Sequence, residues 1–339
     1  MSSLVAQHRH RRTRIALLAV TSTLILATSL GCSSSGGKQD DGKSSSTAGQ
    51  ADTPRMVVAM ITHEVPGDAF WDIIRKGAEA AAAKDNIELR YSADPEAPNQ
   101  ANLVQSAVDS KVDGIALTLA KPDAMRSAVE AAQTANIPVV AFNGGFDQYE
   151  SMGIDEYFGQ DERRSGVAAG KRLTTDGAKK VLCVVHEQGS VIHEARCGGV
   201  AEGFGGQTEI INVNSKDMPS VEATITAKLQ QDPSIDHIMG LSAAIALTSV
   251  QSVANAGSDA KIVNFDTSSA LVDAISDGQV EWAVDQQPYL QGYLAVDALW
   301  LLKNNGNIVG GGQPVLTGPA FIDQSNVEDV AELSKAGTR

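Results

Sequence analysis

Aromatic residues are scarce in this sequence and make up only 4% of its 339 residues. That scarcity argues against a protein that stacks carbohydrates on a surface of exposed rings. Apolar side chains are not lacking, because hydrophobic residues make up 42% and charged residues 20% of the chain. These fractions are typical of a folded globular chain and exclude a disordered one. The length suits two ordinary domains and excludes a peptide or a single small module.

Positive charge is also scarce. Lys and Arg number 27 against 41 Asp and Glu, which gives a net charge of −14. The first 31 residues hold four arginines and no acid, so the rest of the chain carries 23 basic against 41 acidic residues, a net charge of −18. An acidic body without a basic stripe repels phosphate backbones. We therefore expect no nucleic-acid partner.

Motifs of common enzyme classes are absent from the sequence. Gly166–Arg172 reads GVAAGKR, which lacks the spacing of a phosphate-binding loop and the Ser or Thr that follows its Lys. No GxGxxG follows a strand-like run, and no GxSxG occurs. His186 and His193 each precede a glutamate, as in a zinc-protease motif, but the residue four positions later is Ser190 or Cys197. We expect no enzymatic activity, no cofactor and no metal.

The N-terminal segment has the order of an export signal. Basic residues continue through Arg14, an apolar run extends from Ile15 to Leu30, and Gly31-Cys32 follows. The apolar run is shorter than a membrane span, which needs about 20 residues. A cysteine at its end resembles a bacterial lipobox, in which the cysteine is acylated and the preceding peptide is removed. We expect a signal peptide over 1–31 that uses the general secretory route, with plain secretion or an uncleaved anchor as alternatives.

Residues 32–54 are rich in Ser, Gly, Asp, Lys and Gln and contain almost nothing apolar. Such a segment cannot bury surface, and its composition predicts a flexible tether. We expect lipid on Cys32 to hold the exported body at the outer face of the bacterial cytoplasmic membrane.

From Met56 onward, apolar strand-like runs alternate with helix-period segments. Continuous apolar strands such as Ile115–Leu117 indicate parallel sheets that are covered on both faces. The pattern predicts two α/β lobes. The predicted elements are strands at 56–61, 87–91, 114–119, 138–142, 181–185, 210–213, 237–239, 262–265 and 280–284, and helices at 71–84, 101–110, 124–135, 163–173, 194–204, 221–229, 243–256, 270–276 and 290–302.

Two cysteines and two histidines form an unusual cluster, Cys183-x-x-His186 and His193-x-x-x-Cys197. The spacing approximates that of zinc ligands. In an oxidising compartment the two cysteines also suit a disulfide, and two reduced thiols are a third possibility. A disulfide is the interpretation we favour, because these are the only cysteines outside the export segment. It would stiffen a loop that leaves the carboxyl end of a strand, where ligands of doubly wound sheets bind.

Five motifs together resemble the ribose-binding branch of the type I periplasmic binding proteins. They are Phe70-Trp71 with Gly77-Ala78, Pro138-Val139-Val140 before Asn143, Arg196-x-x-Gly199 before Glu202-Gly203-Phe204, Val263-x-Phe265-Asp266, and Asp285-Gln286-Gln287-Pro288. The resemblance covers about residues 56–323. It implies an α/β fold of two doubly wound parallel-sheet lobes, joined by a hinge of three crossovers, that closes on a monosaccharide for an ABC importer.

The resemblance also implies a set of ligand-binding residues. Phe70 and Trp71 would sandwich a sugar ring, while Arg196, Asp266 and Gln286 would bond its hydroxyls. Further ligand positions implied by the resemblance are Asp68, Asn143 and Ser242. Aromatic platforms and planar polar groups are the side chains that a sugar's apolar faces and hydroxyls require. On this basis we expect Arg196→Ala to weaken binding about ten-fold or more while the fold stays intact.

The sequence departs from the family pattern at Asn143-Gly144 and at Ser242-Ala243, where the family often has Asp-Arg and Asn-Asp. These departures place the particular sugar in doubt. His63, Glu64 and His186 are additional ligand candidates. Most of the named residues also have a structural interpretation. Phe70 and Trp71 suit an aromatic core, and Arg196 suits a charge on a helix surface. Asp266 and Ser242 suit helix caps, Gln286 a hinge scaffold and Asn143 a turn former.

We expect a lipid-anchored monomer that binds a neutral monosaccharide or polyol and delivers it to ABC permease subunits. The expected lobes are 55–158 plus 287–316 and 159–286 plus 317–339. The principal alternative is a receptor of the same fold that feeds a sensor system, and an envelope enzyme ranks third. A repressor effector domain has similar lobes, but it lacks the export segment and would need an N-terminal helix-turn-helix.

Overall fold

The structure, a computed structural model, describes residues 50–339. The expected signal peptide, the lipidation site at Cys32 and most of the tether lie outside the described residues. The elements in chain order are β1 (Met56–Thr62), α1 (Ala69–Lys84), β2 (Ile87–Ala93), α2 (Ala97–Asp109), β3 (Gly114–Thr118), α3 (Pro122–Thr134), β4 (Val139–Asn143), a 3-10 turn (Glu150–Met152), β5 (Tyr157–Gly159), α4 (Glu162–Thr175), β6 (Lys180–Val185), α5 (Val191–Gly203), β7 (Gln207–Asn212), α6 (Met218–Gln231), β8 (His237–Gly240), α7 (Ala243–Ala256), β9 (Lys261–Phe265), α8 (Ser269–Ser276), β10 (Trp282–Asp285), α9 (Pro288–Asn305), a second 3-10 turn (Val309–Gly312), β11 (Val315–Leu316), β12 (Ala320–Asp323) and α10 (Val327–Lys335). Within this part of the chain, no helix is long and apolar enough to cross a membrane.

The strands form two six-stranded sheets, and each sheet with its helices is called a lobe here. The first sheet has the order β11-β5-β4-β3-β1-β2, and all its neighbouring strands are parallel. The second has the order β12-β10-β9-β8-β6-β7 and is parallel except for β12, which runs antiparallel to β10. This is the doubly wound α/β fold that the alternation of apolar strands and helices predicts.

The cores lie on both faces of each sheet, as continuous apolar strands require. Every residue of β3 and β4 is buried, and helices cover both sides of these strands. In the second lobe β6 is buried in the same way from Val181 onward. A strand buried on both faces has no polar side that meets water, which explains the unbroken apolar runs in the sequence.

The chain passes between the two sheets three times, after β5, after β10 and between β11 and β12. Backbone and side-chain hydrogen bonds tie the three crossing segments to one another. Thr317 N–H donates to the Gly159 carbonyl at 2.8 Å, and Gln287 Nε2 donates to the Thr317 carbonyl at 2.8 Å. The crossings therefore form one joined region between the lobes.

The sequence-based elements agree closely with the observed ones up to residue 305, and the predicted fold class is confirmed. The strands β5, β11 and β12 and the helix α10 were not predicted. These strands have only two to four residues each, which is too short to show an alternating or a continuous apolar pattern. Helix α5 begins three residues earlier than the predicted Glu194, at Val191.

Candidate functional site

A cavity lies between the lobes at the carboxyl ends of the parallel strands. The strand order of each sheet reverses direction at one point, between β1 and β3 in the first lobe and between β6 and β8 in the second. Such reversals open the crevices in which doubly wound folds bind ligands. The cavity offers about 50 Å³ to the centres of water-sized molecules, whereas one water needs about 10 to 15 Å³ by this measure. Its size therefore suits one small molecule. The lining residues are His63, Val65, Asp68, Phe70, Trp71, Asn143, His186, Glu187, Ile192, His193, Arg196, Leu241, Ser242, Asp266 and Gln286.

The structure brings together all eight residues that the resemblance nominates, and two of the three additional candidates. Glu64 is the exception. Its carboxylate accepts a hydrogen bond from Arg75 Nη2 at 3.2 Å and another from the Tyr91 hydroxyl. Glu64 therefore faces β2 and α1 and does not line the cavity, because the side chains of consecutive residues leaving a strand point in opposite directions.

Phe70 and Trp71 both line the cavity at the start of α1, but they do not form the expected sandwich. Their rings meet edge to face, with centroids 5.3 Å apart and planes at 88°. Consecutive helical residues project about 100° apart, so their rings cannot lie parallel on opposite sides of one ligand ring. Trp71 also makes an edge contact with His63, with centroids 4.8 Å apart. The pair thus supplies one aromatic corner.

Arg196 lies on α5 and is only 2% exposed, so it is not a surface charge. It forms a two-point ion pair with Glu162, in which Nε donates to Oε2 at 2.7 Å and Nη2 donates to Oε1 at 3.2 Å. Its Nη1 donates to Asp266 Oδ2 at 3.3 Å, and the guanidinium lies 4.8 Å from the centre of the Phe265 ring. Burial raises the pKa of both carboxylates, and Arg196 offsets part of that rise. Arg196 therefore balances two buried acids.

The close packing of α4 against α5 explains how Arg196 reaches Glu162. A Cβ on Gly166 would lie 2.3 Å from the Arg196 carbonyl oxygen, and one on Gly199 would lie 2.3 Å from the Arg163 carbonyl oxygen. Only glycine permits this approach of two helix backbones. Glu162 is the first residue of α4, where the helix dipole favours a carboxylate.

Asn143 and Gln286 link the two sides of the cavity through side-chain amides. Asn143 Nδ2 donates to Gln286 Oε1 at 3.4 Å and to Gln291 Oε1 at 3.2 Å. Gln291 Nε2 donates to the same Gln286 oxygen at 2.8 Å, and Gln286 Nε2 donates to Asp266 Oδ1. Gln286 thus belongs to the crossing region and also lines the cavity. Asn143 has a φ of 63°, in keeping with its alternative role as a turn former.

Asp68 and Ser242 line the cavity and also cap helices. Asp68 Oδ1 accepts from Phe70 N–H at 3.1 Å at the start of α1, and Ser242 Oγ accepts from Ile245 N–H at 3.5 Å at the start of α7. Burial raises the pKa of Asp68 to about 6, and the nearby carboxylate of Asp266 adds to that rise. Asp266 itself does not cap a helix, because Ser268 caps α8.

Three histidines line the cavity, and one of them, His193, was not among the predicted ligand residues. Burial lowers the pKa of His63, and burial with the nearby charge of Arg196 lowers the pKa of His186 to about 3. The pKa of His193 is well below its ordinary value, chiefly through burial. All three imidazoles are therefore neutral near pH 7. His63 Nδ1 is paired with Thr118 Oγ1 at 2.7 Å.

The structure places Cys183 on β6 and Cys197 on α5 as a disulfide-bonded pair, with Cα atoms 6.0 Å apart. Over residues 50–339, no group of three or more His, Cys, Asp or Glu side chains is arranged to hold a metal. His186 and His193 lie beside the loop between the cysteines, where they face the cavity. The two cysteines are paired with each other, so they do not form the zinc site with His186 and His193 that the spacing also allowed.

Contacts across the mouth of the cavity join the lobes opposite the three crossings. Val191 N–H, in the second lobe, donates to the Ala120 carbonyl of the first at 3.0 Å. Lys121 Nζ lies 2.9 Å from Glu187 Oε1. A Cβ on Gly144 would lie 2.6 Å from Ile192 Cδ1. The loop between β6 and α5 therefore fits against the first lobe with little room to spare.

The most important residue that sequence reasoning missed is Glu162. Its signal was present as a glycine pattern, because Gly166 and Gly170 follow Glu162 at four-residue spacing and Gly199 and Gly203 follow Arg196. Two helices with such small-residue faces pack closely, which brings Glu162 and Arg196 together. His193 had a signal too, since it lies one helical turn before Cys197.

The lining combines an aromatic corner, amides, neutral imidazoles, carboxylates and one guanidinium. These groups offer hydrogen-bond donors and acceptors in many directions within a small space. No serine or cysteine of the lining is hydrogen-bonded to a histidine among the described residues, so the arrangement lacks an activated nucleophile of that kind. It is suited to holding a compact molecule with several hydroxyl groups.

The chain matches the sequence model of the periplasmic binding protein domain over residues 58–307. Its structure superposes with a TM-score of 0.83 on a carbohydrate transporter of Acidothermus cellulolyticus solved in complex with myo-inositol. The two are 54% identical, and the match covers 84% of this chain and all of that one.

Two curated relatives are more distant. The xylose/arabinose-binding protein of Sulfolobus acidocaldarius is 25% identical over 263 residues, or 72% of this chain. The chain spans 64% of that archaeal protein, which is less than two thirds of its length. The ribose import binding protein of Bacillus subtilis is 22% identical over 234 residues, covering 68% of this chain and 76% of that protein. None of these relatives is described as an enzyme.

Proposed function

Because the chain belongs to the family of proteins with a periplasmic binding protein domain, we propose that it captures a neutral monosaccharide or cyclic polyol between its lobes and delivers it to an ABC importer. The observation that carries this proposal is the cavity between the sheets, with Trp71, Arg196 and Asp266 in its lining. Its small size and its many hydrogen-bonding groups support a compact polyhydroxy ligand.

The relative that is 54% identical was solved with myo-inositol, so inositols are the first ligands to test. A thermal-shift and calorimetry screen should include inositols, pentoses, hexoses and linear polyols. A ligand that binds the folded state raises the melting temperature by mass action. We expect one cyclic polyol or monosaccharide to bind well above the others. If none of these compounds shifts the melting temperature or gives a binding heat, the proposal fails.

The ligand residues we propose are Asp68, Phe70, Trp71, Asn143, Arg196, Ser242, Asp266 and Gln286, with His63 and His186 as additional contacts. Removing the partner of a buried hydroxyl costs about 1 to 3 kcal/mol. Asp266→Ala should therefore weaken binding about ten-fold or more. Substitution of an exposed acid that does not line the cavity, such as Asp123, is the matched control.

We further propose that the protein is an exported monomer held at the outer face of the cytoplasmic membrane by lipid on Cys32. The N-terminal order of basic, apolar and small residues supports this. Cys32→Ala should release the protein from the membrane fraction, and mass spectrometry should find lipid on the wild-type cysteine. A wild-type protein without lipid, together with a variant that still fractionates with membranes, would overturn the anchoring.

The lobe boundaries we propose are 55–158 plus 287–316 for the first lobe and 159–286 plus 317–339 for the second. The three crossings near residues 160, 286 and 318 support them. In the proposed cycle the lobes rotate about these crossings and close on the ligand. The closed form then presents both lobes to the permease.

The disulfide between Cys183 and Cys197 is part of this proposal. Peptide mapping without reduction should recover the two cysteines in one linked fragment. Two free thiols in the exported protein would contradict the pairing.

A further inference from the structure

Two imidazole rings lie side by side in the cavity wall. The ring centroids of His186 and His193 are 4.2 Å apart and their planes are inclined by 48°. His186 leaves the end of β6, and His193 lies in the first turn of α5. The Cys183–Cys197 pair joins the same strand and helix, and Cys197 lies one turn after His193. The arrangement of the two rings is thus fixed from both ends.

Each of these rings has an unused nitrogen. Among residues 50–339, neither His186 Nδ1 nor His193 Nδ1 has a hydrogen-bond partner, although both atoms are enclosed. His193 is buried, and His186 is partly exposed at its outer edge, towards a crevice that it shares with Glu187 and Lys121. Buried polar groups in folded proteins are normally paired, so two residues that line one cavity and each hold an unpaired ring nitrogen call for an explanation.

The charge state of the rings limits what they can bind. Arg196 and His63 are the positively charged or titratable groups that oppose their protonation, and the Glu187 carbonyl near His193 only partly offsets this. A neutral imidazole has one N–H donor and one lone-pair acceptor. Hydroxyl groups, which both donate and accept, satisfy such nitrogens whichever tautomer is present.

We propose that His186 and His193 act as a pair that binds two adjacent hydroxyl groups of the ligand, a vicinal diol. This inference rests on the proposed function and adds to it the feature that decides between polyols of similar size. Both imidazoles line the cavity with centroids 4.2 Å apart, so two neighbouring hydroxyls of one small ring can reach both of them at once. A ligand that lacks either hydroxyl, or holds the two trans-diaxial and far apart, leaves one nitrogen unpaired.

Calorimetry on the full chain tests the pair with myo-inositol and with inositols that lack one hydroxyl. For wild type, we expect one or two particular deoxyinositols to bind at least ten-fold more weakly than myo-inositol. His193→Leu should weaken myo-inositol binding by a similar factor. For the deoxyinositol that lacks the hydroxyl bound by His193, this variant and wild type should have the same affinity. His193→Gln, which keeps a polar side chain of similar reach, should recover part of the affinity. His186→Leu should show the same behaviour towards the inositol that lacks the other hydroxyl of the pair.

Nitrogen-15 NMR of the imidazoles provides a readout that a merely structural role would not move. On saturation with myo-inositol, a ring-nitrogen signal of His186 and one of His193 should shift towards the hydrogen-bonded range. His237 is the control, because it is buried outside the cavity and bonded to Asp236 at 2.8 Å. Its signals should stay in place.

The outcomes separate the two proposals. If wild type binds no neutral polyol, the proposed function fails and this inference fails with it. If wild type binds, but folded His186→Leu and His193→Leu variants bind equally well and the imidazole signals do not move, only the diol pair is refuted.

Discussion

At the scale of single residues, the site depends on one buried cation and its two acids. Arg196 pairs with Glu162 at two points and with Asp266 at a third. Separating such a group costs more than the loss of one ligand contact, because each remaining charge is left buried without a partner. The sequence-based expectation that Arg196→Ala leaves the fold intact is therefore revised.

We predict that Arg196→Met lowers the free energy of unfolding by about 3 to 5 kcal/mol, since it leaves two buried carboxylates uncompensated. Adding Glu162→Gln removes one of those charges and should restore part of the stability without restoring ligand binding. Urea unfolding gives the stabilities and calorimetry gives the affinities. The interpretation fails if Arg196→Met unfolds at the same urea concentration as wild type.

Asp68 has an unusual protonation equilibrium for an aspartate. Burial raises its pKa from an ordinary 3.8 to about 6, so the folded protein holds the proton more tightly than the unfolded chain does. Its contribution to stability is therefore fully present below about pH 4 and is lost as the pH rises through about 6.

We predict that Asp68→Asn stabilises the ligand-free protein near pH 8 by on the order of 1 to 3 kcal/mol and has little effect near pH 4. Asparagine can still cap α1, because its side-chain oxygen accepts the same Phe70 N–H. Thermal unfolding of both proteins across this pH range measures the difference. Equal melting temperatures near pH 8 would show that the carboxylate is not penalised by burial.

At the scale of elements, the loop between β6 and α5 carries both recognition and lobe contact. The loop supplies His186 and Glu187 to the cavity, and the first turn of α5 supplies Ile192. In the same turn, Val191 N–H bonds the Ala120 carbonyl of the other lobe. The disulfide between Cys183 and Cys197 encloses this loop. Most substitutions in this region therefore affect ligand contact and lobe closure together. A substitution that removes only one main-chain N–H can separate the two effects.

Val191→Pro removes the main-chain N–H that bonds the Ala120 carbonyl. Val191 is the first residue of α5, where proline fits because the helix does not use that N–H. Ser190 has the extended backbone that a residue before proline prefers, with φ −76° and ψ 117°. We predict that losing the bond to Ala120 weakens ligand binding by about two- to ten-fold, which corresponds to about 0.5 to 1.5 kcal/mol.

Calorimetry and small-angle X-ray scattering with saturating ligand measure this effect. Ser269→Pro, at the first residue of α8, is the matched control and should bind ligand as wild type does. The prediction is contradicted if both variants bind equally well, or if Val191→Pro loses unfolding stability in proportion to its affinity.

At the scale of the whole molecule, charge sets the class of ligand. The chain is acidic overall, and the cavity region holds Asp68, Glu162 and Asp266 against the single cation Arg196. Glu187 is already paired with Lys121. A ligand with a negative charge would enter a site whose formal charge is already negative.

We predict that myo-inositol 1-phosphate binds at least about a hundred-fold more weakly than a neutral inositol, because like charges placed together cost several kcal/mol. A neutral O-methyl inositol of similar bulk separates the effect of charge from that of size. Competition calorimetry at low and high salt checks the prediction, and affinity for the neutral ligand should not depend on salt. Equal binding of the phosphate and the methyl ether would contradict it.

The sequence was sufficient to predict the fold because buried parallel strands such as β3 cannot avoid continuous apolar runs. It also nominated Trp71, Arg196 and Asp266, which the structure brings to the lining of one cavity. It could not assign Glu162 to Arg196, since that pairing depends on how closely two helices pack. Nor could it orient Phe70 against Trp71 or turn Glu64 away from the cavity, because side-chain direction depends on neighbours that are distant in sequence.

The hydrogen bond from Val191 to Ala120 joins the lobes through main-chain atoms alone. Every amino acid except proline supplies the donor, and every amino acid supplies the acceptor. The geometry of closure is therefore buffered against most mutations in these two positions, while the side chains that face the ligand remain free to vary. A protein built in this way can acquire a new ligand preference through a few substitutions in the cavity and still shut in the same manner.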